Sequence, residues 1–313
     1  WDLESVNHYK DQSDIFFTCH EFSYNKIAEA YEPYLGLIRQ MFHRYCSGTL
    51  EEFMEECDVY KLQRPVFESY FENGFCERTE QILIDEVEYE QERMRNSIVT
   101  MLQKLSEIRP VVIVLNRFQL ASKSTMQLTN RLLQTKNKNI GIVLGVNDVQ
   151  SIPEFAHEEW DAICESMDDR NMVYHIGNAG RNMEPDVMDY YSDYESDDGY
   201  RKLNNLVYFL DFDQADHHLS KIERRIKFDN FTISEKKHYQ LLLLQIMVSV
   251  LQRDIAKALE SCEDLEKLQD QEKEGAFYYN FWMATSYMYL GKLEEAMIYV
   301  QKAKECGEAL GDD

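Results

Sequence analysis

The fold turns on the stretch RPVVIVLNRFQLASKSTMQL (109–128) and on NIGIVLGVNDV (139–149), which closes the same region. Two short apolar runs stand in it, Val111–Leu115 and Ile140–Val146, both rich in β-branched residues. Such runs read as strands buried on both faces of a parallel sheet, because a strand with no solvent face needs no alternating polar residues. Between them Met126, Leu128, Leu132 and Leu133 recur at helical spacing. Strand, helix, strand in so short a span predicts a right-handed βαβ unit. In an open parallel sheet the chemistry gathers at the carboxyl ends of the strands. The first strand delivers Asn116, Arg117, Phe118 and Gln119 to that edge. A nucleotide hydrolase presents an acid there to manage Mg²⁺ and water. This chain presents an amide and a cation, which leans against hydrolysis.

Upstream, Ile15–Cys19 (IFFTC) is a further candidate strand. Tyr31–Tyr45 carries Tyr34, Leu37, Ile38, Met41, Phe42 and Tyr45 on one helical face, with Pro33 suited to the first turn. Residues 50–62 and 65–72 predict short helices, punctuated by Asn73-Gly74, and Gln81–Ile108 a long helix or a pair. Beyond Val149, residues 150–170 predict loop and short helix, and Met172–Ile176 (MVYHI) one more strand. Glu184–Gly199 carries seven acids and little that could enter a core. It reads as a solvated linker, and its acids lack the glycine and terminal glutamate of a helix–loop–helix calcium site. The expected plan is an α/β domain over 1–185, an acidic linker over 186–199 and an all-α domain over 200–313.

The last third repeats itself. In 207–222, 250–265 and 288–303, Ala215, Ala258 and Ala296 hold one position. Phe212, Ile255 and Leu293 precede them by three residues, and Leu219, Cys262 and Val300 follow by four. The units are spaced by 43 and then 38 residues. Each predicts a turn followed by the second helix of an antiparallel pair, the small alanine letting helices approach closely.

Composition sets outer bounds. The chain has 313 residues, 44% of them apolar, with 12 glycines and 5 prolines, which favours long helices over turn-rich β structure. The formal charge of −24, with no basic patch beyond the short KIERRIKF (221–228), argues against direct nucleic-acid binding and against an anionic membrane surface. Seven cysteines at wide spacing, with no CxxC, suggest neither a disulfide framework nor a thiolate metal site. The most apolar stretch, LLLLQIMVSVL (241–251), is too short to span a bilayer, and the cytoplasm is the default compartment.

These residues carry two resemblances. The third repeat, with Ala284, Tyr287, Gly291, Ala296 and Ala303, resembles a tetratricopeptide repeat (TPR). The second matches less well, with Ile246 and Ser249 in place of Ala284 and Tyr287 and Arg253 where the turn glycine stands. The first 180 residues or so resemble the P-loop-NTPase-like module of the signal-transduction ATPases with numerous domains (STAND), an AAA-like group whose bacterial branch carries C-terminal helical repeats. In that family a strand such as Val111–Leu115 ends in two acids; here those positions hold Asn116 and Arg117, and Ser122 stands where an aspartate follows the alanine. No GxxxxGK[ST] phosphate-binding loop occurs. Loss of the loop and of both acids together implies a pseudo-ATPase without catalytic residues or cofactor. The competing account is an ATP-binding switch whose loop lies upstream of Trp1.

Other chemistry is weaker. Asp85, Glu86, Glu88 and Glu90 read as a solvated face in a chain with 57 acids, and His217 and His218 diverge on a helix too far to share a metal. Ser122 and Ser124 follow a strand without the GxSxG elbow of a serine hydrolase. Arg117, at a strand's carboxyl edge, is a candidate anion site, weighed against a structural pairing with a local acid. Tyr278, Tyr279, Trp282 and Tyr287 are candidate contacts for a protein or peptide partner, weighed against ordinary repeat packing. The expected function is a non-catalytic regulatory or scaffold region in signal transduction. Its repeats would bind a partner, and the resemblance implies an output domain beyond them.

Overall fold

The computed structural model describes residues 14–23, 26–76, 86–135, 137–147, 152–168, 196–229, 231–268 and 274–311. They fall into two compact units. The first takes residues 14–76, 88–168 and Tyr208–Asp211. The second takes 86–87, 196–207 and 212–311. An N-terminal parallel β/α unit is thus followed by a tightly packed all-α one. The strand expected at Met172–Ile176 and most of the acidic linker lie outside the described residues.

In the first unit β1 (Phe16–Glu21), β2 (Val111–Asn116) and β3 (Ile140–Gly145) form a parallel sheet in that spatial order. Phe16 pairs with Val111 and Val111 with Ile140, and the register runs unbroken to Glu21, Asn116 and Gly145. The two runs that decide the fold are therefore adjacent parallel strands, with IFFTC supplying a third. β2 is largely buried. β3, expected to be covered on both faces, is not: its residues are half-buried and Val143 is exposed. The cause is position, since β3 is the last strand of the sheet among the described residues, and an edge strand is covered less than a central one.

Helices α1 (Tyr34–Tyr45), α2 (Leu50–Glu56), α3 (Arg64–Asn73), α4 (Val87–Ile108), α5 (Lys123–Gln134) and α6 (His157–Asp168) surround the sheet's sequence. Their ends follow local chemistry. Thr49 and Glu52 form a reciprocal capping box at the start of α2. Gly74, at φ +80°, stops α3 in the left-handed conformation that glycine adopts without strain. Pro33 sits one residue before α1 rather than inside its first turn. Tyr34, Leu37, Ile38 and Met41 of α1 and Met94, Ile98, Met101, Leu102 and Leu105 of α4 are fully or almost fully buried and form much of the core.

The second unit contains α7 (Asp197–Tyr208), α8 (Phe212–Phe228), α9 (Glu235–Leu251), α10 (Ile255–Glu266), α11 (Gly275–Tyr289) and α12 (Leu293–Leu310). Helices α8 to α12 pack each against the next. The three aligned alanines, Ala215, Ala258 and Ala296, are all buried, on α8, α10 and α12. The turns that lead into these helices share one backbone feature. Leu210, Arg253 and Gly291, at the same repeat position, have φ of +65°, +65° and +71°. Only the third is glycine, so the first two accept a conformation that costs an L-residue about 1 kcal/mol.

Candidate functional site

At the carboxyl edge of the sheet, Glu21, Asn116 and Gly145 stand side by side at the ends of the three strands. The Asn116 amide Nδ2 donates to Cys19 Sγ at 3.8 Å. Its Oδ1 lies 2.9 Å from where a Cβ on residue 145 would stand, so a side chain there would make the Asn116 amide shift. Arg117 follows in the left-handed conformation (φ +55°), and its Nε lies 3.2 Å from Glu21 Oε1. The guanidinium thus has a carboxylate partner, and an anion arriving there would compete with it.

The loop then turns inward. Phe118 is fully buried against Phe22 and Trp160. Gln119, also fully buried, donates through Nε2 to Asn147 Oδ1 beyond β3. Ser122 caps α5: its hydroxyl accepts the Thr125 N–H at 3.3 Å and donates to the Glu29 carbonyl at 2.9 Å. The position read as a lost aspartate is therefore a buried helix cap.

Those contacts fix the loop 29–32. Ser124 Oγ accepts the Tyr31 N–H, and the Thr125 hydroxyl donates to the Glu32 carbonyl. The loop walls a pocket of about 260 Å³ beside β1, lined by Cys19, His20, Glu29, Glu32, Gln40 and Tyr70 among others. Its chemistry is muted at neutral pH. Burial, with help from Lys26 and against the pull of Glu21, pushes the His20 imidazole down to about 4. His20 is therefore neutral, and its approach to Glu32 (3.4 Å) is a polar contact rather than an ion pair. Burial, reinforced by Glu29 and Glu32, raises the Tyr70 phenol, which stays protonated. Among the described residues no three His, Cys, Asp or Glu side chains converge to hold a metal.

In the second unit the aromatic candidates separate. Trp282 is buried and edge-on to Phe281 at 5.2 Å, so it belongs to the packing. Tyr279 and Tyr287 are half-buried and both meet Tyr299 of α12, Tyr287 stacked on it at 5.6 Å. Burial, then the neighbouring Tyr299, raises the Tyr279 phenol. Tyr278 is half-buried and lies edge-on to Phe277. Exposed apolar surface gathers instead on α12, at Leu293, Met297 and Val300. Aligning the repeats gives no sign of it, since the equivalent Ile255 and Cys262 are buried.

No helix among the described residues is long and apolar enough to cross a membrane. Compared with family models, with curated proteins and with solved structures, the chain matches none.

Proposed function

We propose that this chain is a non-catalytic regulatory or scaffold region of a multidomain signal-transduction protein. Its first unit is a degenerate P-loop-NTPase-like body, and its TPR-like repeats hold a protein partner. The observation that carries the reading is the end of β2. The positions where a nucleotide hydrolase keeps its acids hold Asn116, engaged with Cys19, and Arg117, paired with Glu21. Neither supplies the carboxylate that Mg²⁺ and an attacking water require. The test is calorimetric titration of ATP and ADP, with and without Mg²⁺, into this chain and into any longer form of the protein that carries it. The scaffold reading expects no binding by either, and nucleotide binding by this chain overturns it.

A second reading, an ATP-binding switch whose phosphate loop lies upstream, is favoured by β3. That strand is apolar throughout yet half-exposed, an edge suited to pairing with one further strand. Binding by the longer form alone would select this reading.

A further inference from the structure

We infer that the cavity beside β1 binds a small primary ammonium ligand, an amine with a short apolar tail. The inference goes beyond the scaffold reading, since it gives the first unit a ligand of its own and needs neither nucleotide nor catalysis. The walls come from β1, the loop 29–33, α1 and α3, all parts of that unit. The volume of about 260 Å³ falls short of the roughly 300–1,000 Å³ that holds a drug-sized ligand. A headgroup and a few carbons fit it.

A helical glycine keeps the cavity open. Gly36 is the third residue of α1, where glycine weakens a helix relative to alanine. Its backbone is not left-handed. Outside its own helix, a Cβ there would meet the Tyr70 hydroxyl alone, at an ordinary contact of 3.8 Å. Neither conformation nor crowding therefore demands glycine. A side chain at 36 would instead fill space between two residues, Gly36 and Tyr70, that both line the cavity.

Charge selects the ligand. Glu29 and Glu32 both line the cavity and both push the Tyr70 phenol up, so the two carboxylates stand near one wall. Glu32 is fixed in place: its Oε2 accepts the Glu29 N–H at 3.2 Å, and its Oε1 lies 3.4 Å from His20 Nε2. His20 is neutral at pH 7 and does not cancel that charge. Lys26 acts on His20 and Arg39 on Tyr70, but neither cation lines the cavity. Arg39 donates instead to the Phe71 and Glu72 carbonyls, at 2.6 and 3.0 Å.

An anion would meet two carboxylates. A metal would need three converging His, Cys, Asp or Glu side chains, which the described residues do not form. An ammonium brings three N–H donors to carboxylate acceptors, and its tail lies against Leu37 and Pro33. The loop is set by Ser122, Ser124 and Thr125 of the α5 start, so binding need not order it.

The test titrates butylammonium into this chain and follows backbone amide shifts by NMR, with butan-1-ol as the neutral isostere and butyrate as the anion. Saturable shifts over residues 29–37 are expected with butylammonium and none with the other two. Glu29→Gln and Glu32→Gln should each weaken binding about tenfold. Glu294→Gln, the same charge change at an exposed site on α12, should leave it unchanged. Gly36→Leu should abolish binding while its spectrum stays that of a folded protein. An equal response to butan-1-ol overturns the inference, as does an equal loss in Glu294→Gln, which would mean diffuse attraction to a chain of charge −24. So does a folded Gly36→Leu that still binds. Should Glu32→Gln unfold, Glu29→Gln and Gly36→Leu still decide. Failure to bind the amine leaves the scaffold reading standing, and nucleotide binding would remove that reading without touching this one.

Discussion

The Asp211 carboxylate accepts the backbone N–H of Ser124 at 2.9 Å, across 87 residues of sequence. Ser124 lies in the first turn of α5, where backbone donors have no partner within the helix. A buried carboxylate there satisfies one of them and sits at the positive end of the helix dipole. Asp211→Ala should cost the first unit about 1–2 kcal/mol. Hydrogen exchange at Ser124, compared between the two proteins, should lose protection; an unchanged rate would remove the cap from the account.

Phe209, two residues earlier, is fully buried, with its ring edge-on to Tyr31, Phe67 and Tyr70 at 6.3, 5.6 and 5.5 Å. Truncation leaves a cavity walled by three rings. Phe209→Ala should destabilise the first unit by about 3–5 kcal/mol, read from the denaturant midpoint. A loss under about 1 kcal/mol would mean the slot collapses around the missing ring.

Acid should weaken the second unit through His218. Burial, then His217 and Lys221, push its imidazole down to about 3. Gln214 lies 2.9 Å from its Nε2, a contact a neutral ring can accept through that nitrogen. The folded-state pKa lies below the unfolded one, so the stabilisation is complete above about pH 6.5. It is lost as pH falls from there towards 3, at a slope of about 1.4 kcal/mol per pH unit. His20 acts with the same sign in the first unit, down to about 4. Urea midpoints from pH 7 to 4 should show this slope, and His218→Leu should flatten it. An equal slope in the variant would move the effect to other groups.

Gly291→Ala should destabilise the second unit by about 1 kcal/mol. A Cβ there would meet nothing within 4 Å, so the cost is purely that of φ +71°. Thermal unfolding of the variant tests it, and no change would show that the turn relaxes to another conformation.

Arg117→Ala should cost under about 1 kcal/mol, since its pair with Glu21 is part-exposed and screened by solvent. Titration of inorganic phosphate into both proteins tests the anion-site idea: binding lost in the variant would restore it, and binding in neither removes it.

The sequence announced the sheet through Val111–Leu115 and Ile140–Val146, because β-branched runs of that length have few other uses. It could not announce that β3 is the last strand among the described residues, since apolar composition reports what a strand could bury rather than what arrives to cover it. The repeats were legible through the alanines, and Gly291 through its place in the turn of the third repeat. Leu210 and Arg253 adopt the same left-handed conformation without any compositional mark. The end of β2 was legible as chemistry, an amide and a cation where acids were expected. Its partners Cys19 and Glu21 depended on a register that no local pattern states. Phe209 and Asp211 were least visible, because their partners lie far upstream and the surrounding residues read as part of a repeat.

Their placement has a consequence for dissecting the protein. Tyr208–Asp211 belong to the first unit, yet Tyr208 is the last residue of α7 and the other three lie between α7 and α8. A fragment ended in the acidic stretch before α7 would look like a sensible half-molecule, but it would leave behind the phenylalanine that fills an aromatic slot and the carboxylate that caps α5. A self-sufficient first half must run through Asp211 and carry α7 with it.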